Sequence, residues 1–271
     1  MNNIIKTEWL KIKSYRAFWW VIGITALSYP GINYIFYTGY LELTKNKDAK
    51  GQLAKALIGN PFAFPEVFHT AAYFSSFFVF IPGIVVIMLI TNEYNFKTHR
   101  QNIIDGWSRK QFLTGKLFDV AFITVLISVI FFIVAMAIGL NNTPADVTDK
   151  FSQVKYVGLF GLQTFSQLSI AFLIGFIIRR SFIALSVFVF YFLILENIAE
   201  KILRFKANDI GRFFPLEISD RMIPIVAFLG KFDEKGYQKA VDAIGMHVIL
   251  TLIVTAIVWL VCYTINKRRD L

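Results

Sequence analysis

The sequence predicts an all-α integral membrane protein: six transmembrane helices, an N-terminal amphipathic interfacial helix, and short re-entrant helices between spans five and six. Composition is the first reason. Of 271 residues, 56% are hydrophobic and only 17% are charged, against roughly 45–50% and about 25% in soluble domains. Patterning is the second: the apolar residues gather in runs near the roughly 20 residues that cross a bilayer as a helix. The third is the lack of alternating segments of about 10 residues that an outer-membrane barrel would need.

The elements follow in order. Residues 4–16, IIKTEWLKIKSYR, set Ile5, Trp9 and Ile12 apart from Lys6 and Lys13 at helical spacing, as in a helix lying in the headgroup layer within segment 1–16. Six spans come next, at 17–37, 71–91, 117–140, 156–178, 182–199 and 246–265. Trp19 and Trp20 mark the first interface, where indoles prefer to sit. The first run is too long for a signal peptide and lacks a small-residue cleavage site, so it is expected to stay as an anchor. Pro30 and Pro82-Gly83 can each kink a helix, as hinges or as packing accommodations. Asn60-Pro61 and Phe64-Pro65 break segment 38–70, and NNTPADVTDK opens segment 141–155 as a turn. In segment 200–245, residues 222–230 are apolar but too short to span, which suggests a short helix dipping into the outer leaflet. The whole chain, 1–271, reads as one transmembrane domain.

The net charge of +10 reads as topology and not as a nucleic-acid surface. With both termini cytoplasmic, the inner segments 1–16, 92–116, 179–181 and 266–271 hold 14 Lys and Arg in 50 residues. The outer segments 38–70, 141–155 and 200–245 hold 14 in 94. That is the positive-inside bias, marked most cleanly by Arg179-Arg180 and Lys267-Arg268-Arg269. The lone Cys262, inside span six, is a small core residue.

Several chemistries are missing. There is no GxxxxGK[ST] phosphate loop. His69, His99 and His247 stand far apart with no HExxH or paired-Cys pattern, so no metal site is expected. No Ser, His and acid combination suggests acyl transfer, and no cofactor is expected in this chain. Polarity within the spans is the default place to look for function. Glu196 lies about 21 Å along span five, with Glu200 and Arg204 on its face; it lines a substrate route or sits at the outer interface near Arg204. Gln163, Ser166 and Gln167 form a polar stripe on span four with Ile170 at its end, suited to interhelix hydrogen bonds or to a pathway.

Segment 92–116, NEYNFKTHRQNIIDGWSRKQFLTGK, is the charged insert between two long apolar runs. Glu93, Phe96, Lys97 and Arg100 share a face at i, i+3, i+4, i+7, as if span two continues beyond the lipid. Asp105-Gly106 breaks the pattern, and Ser108 is positioned to N-cap a helix through Lys116. Spacing leaves two readings open: a docking element, or a solvated connector touching headgroups through Arg109, Lys110 and Lys116.

This segment resembles the cytoplasmic loop of ABC-2 type transporter permeases, at Glu93, Thr98, Arg109 and Gly115-Lys116. The opening Glu8-Trp9-Leu10-Lys11 and the six-span plan resemble the same family. Lys97 stands where the family often has glycine, and Gly106-Trp107 where proline is common. The resemblance implies a two-chain permease, homodimer or heterodimer, in the bacterial inner membrane. Cytoplasmic ATPase subunits carrying ATP and Mg would drive it, so the chain would be a transport subunit and not an enzyme. ATPase coupling would fall to Glu8, Lys11, Glu93, Phe96, Lys97, Thr98, Arg100, Arg109 and Lys116. The pathway candidates are Gln163, Gln167 and Glu196. An amphipathic or lipid-like cargo (a peptide, drug or lipid-linked molecule) suits the aromatic composition. The rival expectation is a sensor or accessory protein that docks partners and transports nothing.

Overall fold

The structure, a computed structural model, describes residues 2–45, 58–206 and 210–268. Arg269 and parts of the segments 38–70 and 200–245 lie outside the described residues. Among the described residues every regular element is helical.

Helix α1 (Asn2–Ser14) and α2 (Arg16–Lys45) are separated at Tyr15. The face of α1 that packs inward is Ile4, Glu8 and Ile12, while Trp9 is 36% exposed. The expected Ile5, Trp9, Ile12 face is therefore displaced. An i, i+4, i+8 stripe led by Ile4 fits against the neighbouring helix, with a carboxylate at its centre. Helix α2 runs unbroken through Pro30.

The expected second span is two helices, α3 (Val67–Ser76) and α4 (Phe80–Asn95), bent by 51°. The break precedes Pro82, which falls in the first turn of α4. Proline has no N–H to offer the carbonyl of Phe78, and that carbonyl instead accepts from Ile81 N at 3.1 Å. Gly83 then allows a close approach, since a Cβ there would lie 2.5 Å from the ring of Phe188.

After α5 (Thr98–Ile104) come α6 (Arg109–Asn142) and α7 (Lys155–Ile178). The fifth expected span comprises α8 (Ser181–Phe190), a π turn (Tyr191–Leu195) and α9 (Glu196–Lys206). Short helices α10 (Pro215–Asp220), α11 (Ala227–Gly230) and α12 (Glu234–Asp242) lead to α13 (Ile244–Arg268). Among the described residues four helices are long and apolar enough to cross a membrane: Arg109–Asn142, Lys155–Ile178, Ser181–Arg204 and Ile244–Arg268. The bent pair α3–α4 makes a fifth if counted as one span. The remaining expected span lies in α2, whose 30 residues measure about 45 Å. Its Tyr29, Asn33, Tyr34, Tyr37 and Thr38 keep it outside that apolar group.

Helix α7 is the centre. Its apolar window is 61% buried, against 17–33% in the other three, and it packs on α4, α6, α8 and α13. The expected helix over 222–230 is not continuous; only Ala227–Gly230 is helical there. Pro224 interrupts it, and the carbonyl of Pro224 instead meets His69 Nε2 at 2.9 Å. The short helix that packs among the spans is Pro215–Asp220, against α7 and α13. It begins on a proline, the residue best suited to a first helical turn.

Candidate functional site

At one end of the bundle, α1, the end of α4 and the start of α6 meet through a buried ion cluster. Lys116 on α6 donates to the carboxylate of Glu8, to Glu93 Oε1 at 2.8 Å and to Asp119 Oδ2 at 3.2 Å. Lys11 bridges Glu8 Oε1 at 3.0 Å and Glu93 Oε1 at 2.8 Å. Thr98, at the start of α5, donates to Glu93 Oε2 at 2.7 Å. Glu8, Glu93, Lys116 and Asp119 are each at most 4% exposed. Isolated charges in such a place cost several kcal/mol; here every one faces an opposite charge.

Local sequence makes this possible. Gly115 lets α1 lie on α6, since a Cβ there would already be 3.2 Å from Glu8 and from Ile4. Ser108 caps α6 as the spacing predicts, in a reciprocal box with Gln111. That helix runs on to Asn142 and does not end at Lys116. Burial pushes the Glu8 carboxyl up, but Lys116 and then Lys11 outweigh it and hold the group below its ordinary value. Such a depressed carboxyl stabilises fully above its unfolded pKa and loses that contribution as pH falls through its folded value. Acid below about pH 4 is expected to loosen α1 from α6. Protease cleavage at Tyr15 that rises steeply with acidification checks this; cleavage independent of pH would count against it.

The expected continuous face Glu93, Phe96, Lys97, Arg100 does not form. Helix α4 stops at Asn95, Lys97 takes a left-handed φ of 56°, and α5 starts at Thr98. Glu93 turns inward, whereas Phe96, Lys97 and Arg100 are exposed. A non-glycine residue in this conformation costs about 1–2 kcal/mol, part of which glycine returns as unfolded-state entropy. Lys97→Gly is expected to raise stability by about 0.5–1 kcal/mol, read as the denaturation midpoint in detergent; a lower midpoint would refute the strain. Arg109 reaches α13, donating to the carbonyls of Asn266 at 3.3 Å and Lys267 at 2.7 Å, and Asn266 Nδ2 donates back to Arg109 O at 2.8 Å.

The three pathway candidates gather around one element near the other end of the bundle. Glu196 Oε1 accepts the backbone N–H groups of Leu216 and Glu217, both at 2.8 Å, and so caps α10. Gln163 and Gln167 each donate to Asp220 Oδ1 at 2.7 Å, and Gln167 also to Ser219 at 3.0 Å. A carboxylate thus holds the positive end of α10, and two amides of the central helix hold its other end. Arg204 pairs with Glu200 at 2.9 Å rather than with Glu196. Beside α10 opens a cavity of about 850 Å³, lined by Tyr73, Phe192, Glu196, Glu217, Asp220 and Arg221 among others.

The sequence alone missed Asp119 and Asp220. The i, i+3 spacing of Lys116 and Asp119 was a usable signal. Asp220 had none, because its partners lie 53 and 57 residues away. Among the described residues no group of His, Cys, Asp and Glu could hold a metal ion. Residues 4–195 match the family model described as ABC-2 family transporter protein. No curated protein matches the chain.

Proposed function

The chain belongs to the ABC-2 family of transporter proteins, and from that premise we propose that it is a permease subunit forming the membrane route for ATP-driven export. As a family member it is a multi-pass membrane transport subunit that associates with an ABC ATPase. The proposed arrangement goes further than the family. It takes six spans, with α2 as the first and both termini in the cytoplasm of a bacterium. It pairs the chain with a second permease chain, identical or homologous, and leaves ATP and Mg to the ATPase. The cargo would be an amphipathic or lipid-like molecule such as a peptide, drug or lipid-linked compound.

One observation carries this reading: the buried cluster joins three elements at the end that bears segment 92–116. Glu8 and Lys11 on α1, Glu93 on α4 and Lys116 on α6 form one rigid joint. The exposed Phe96, Arg100 and Ile104 stand outside it. An ATPase seated on α5 would push on a joint rather than on a loose loop. The nine coupling candidates therefore divide into a joint (Glu8, Lys11, Glu93, Thr98, Lys116), a contact face (Phe96, Lys97, Arg100) and a tie to α13 (Arg109). Co-expression with the ATPase encoded beside it, followed by purification and reconstitution, tests the proposal. A complex whose ATPase activity depends on this chain supports it. A complex that assembles with no such dependence favours the accessory-protein reading instead.

A further inference from the structure

The cavity beside α10 is lined by as many acidic residues as Lys and Arg, but not all of them pair with one another. Its ionisable lining comprises Glu196, Glu217, Asp220 and Asp233 with Arg204, Arg212, Arg221 and Lys239, as well as His247. The arginines nearest α10 are already matched. Arg221 pairs with Glu217 at 2.6 Å and with Glu200 at 3.3 Å, and Arg204 pairs with Glu200 at 2.9 Å. Arg212 lies over the ring of Phe213 at 4.7 Å, and Asp233 accepts from Gly236 N at 3.0 Å. Glu196 and Asp220, like Asp233, accept hydrogen bonds from uncharged donors: backbone N–H groups for Glu196 and glutamine amides for Asp220. Among the described residues no cation pairs with either.

Glu196 is 4% exposed, and its Oε2 has no hydrogen-bond partner; its polar side-chain neighbour is Tyr191. Asp220 is exposed, and the space beside it is the cavity. Phe77, Phe192, Leu193, Ile225 and Met246 add an apolar wall. Two carboxyl groups without a counter-cation in a partly apolar cavity favour a ligand that brings both a positive charge and a hydrocarbon body. We propose that this cavity binds a cationic amphiphile, its ammonium group held between the carboxyls of Glu196 and Asp220 and its apolar part against Phe192 and Leu193.

The proposal rests on the transport reading only in making such a molecule the cargo; the binding site stands without it. Desolvation by the helices around the cavity pushes the Asp220 carboxyl up to about 7, with Glu217 and Glu196 adding to the effect and the amides of Gln163 and Gln167 opposing it. The titratable and charged groups around this helix are Tyr73 from α3, Glu196, Glu200 and Arg204 from α9, Arg212 from the turn before it, Asp233 and Lys239 at and within α12, His247 from α13, and its own Glu217 and Arg221, while α7 presents only glutamines. Ammonium binding therefore tightens as pH rises from 6 to 8.

The test uses the full chain in zwitterionic nanodiscs with a dansyl-labelled alkylamine, and the matching alcohol as the uncharged probe. Empty nanodiscs give the baseline. The amine is expected to bind at least tenfold more tightly than the alcohol. Glu196→Gln keeps an acceptor for the two backbone N–H groups, and Asp220→Asn keeps one for the two glutamines. Each is expected to remove most of that preference, and Asp220→Asn its pH dependence, with unfolding midpoints close to the parent. Glu217→Gln, at a carboxylate already paired, is expected to keep the preference. Equal binding of amine and alcohol overturns the proposal, as does an unchanged preference in both well-folded variants. A pH dependence that survives Asp220→Asn overturns the role given to that residue. Binding is read without the ATPase, so a failure of coupled ATPase activity strikes the transport reading and leaves this site standing.

Discussion

Lys116→Met is expected to destabilise the chain by about 3–5 kcal/mol, the usual cost of leaving a buried ion-pair partner without its counter-charge. Lys116 is 3% exposed and serves three carboxyl groups. Without it Glu8 and Glu93 share only Lys11, whose side chain is 29% exposed, and Asp119 loses the cation it pairs with. Against a total stability of about 5–15 kcal/mol, that loss should appear as poor yield and a sharply lower unfolding midpoint in detergent. The informative control is Glu93→Gln combined with Lys116→Met. Because the two side chains touch at 2.8 Å, their effects should fall short of additive by about 0.5–3 kcal/mol, leaving the pair better than the sum of the singles. Parent-like stability in the single variant would remove the joint from the account of coupling.

Phe96→Ala with Ile104→Ala should do the opposite: leave the unfolding midpoint where it is and abolish most of the ATPase stimulation. Both side chains are largely in solvent, at 74% and 77% exposure, so the isolated chain loses little packing. On a partner surface, burying each is worth about 1.5–3 kcal/mol. Removing both should weaken docking at least a hundredfold, since every 1.4 kcal/mol is about tenfold. The readouts are the affinity of the reconstituted ATPase and its stimulated rate. Full stimulation with both side chains truncated would place the docking face elsewhere. A folding defect in the first variant and a docking defect in the second separate joint from contact face, which one list of coupling residues does not.

How much of this was legible beforehand differs from residue to residue. The Ser108 cap is written in a four-residue pattern, and a local hydrogen-bond pair realises it. Pro82 marked a possible break, but Pro30 carried the same signal and α2 runs unbroken through it, so a missing backbone donor permits a break that packing then decides. The continuous Glu93–Arg100 face was misread. Nothing in the spacing announced that Lys97 would adopt a left-handed turn, although a lysine at a position often held by glycine was a clue. Glu196 and the stripe of Gln163 and Gln167 were recognisable as polarity needing an explanation. Their common purpose, holding the two ends of α10, was not.

The sequence by itself determined the helical membrane class and most of the boundaries. Apolar runs and caps act within a few residues, and the chain obeys them whatever it later packs against. It also placed Glu8, Lys11, Glu93, Thr98 and Lys116 among nine coupling candidates, through a family resemblance. Only the tertiary structure decided that these five face one another inside the protein while Phe96 and Arg100 face out. Only it brought Asp220 to Gln163 and Glu196 to the start of α10. Charges buried away from water must find partners, and the partner is whichever helix the fold brings within about 3 Å, a distance that sequence separation does not encode.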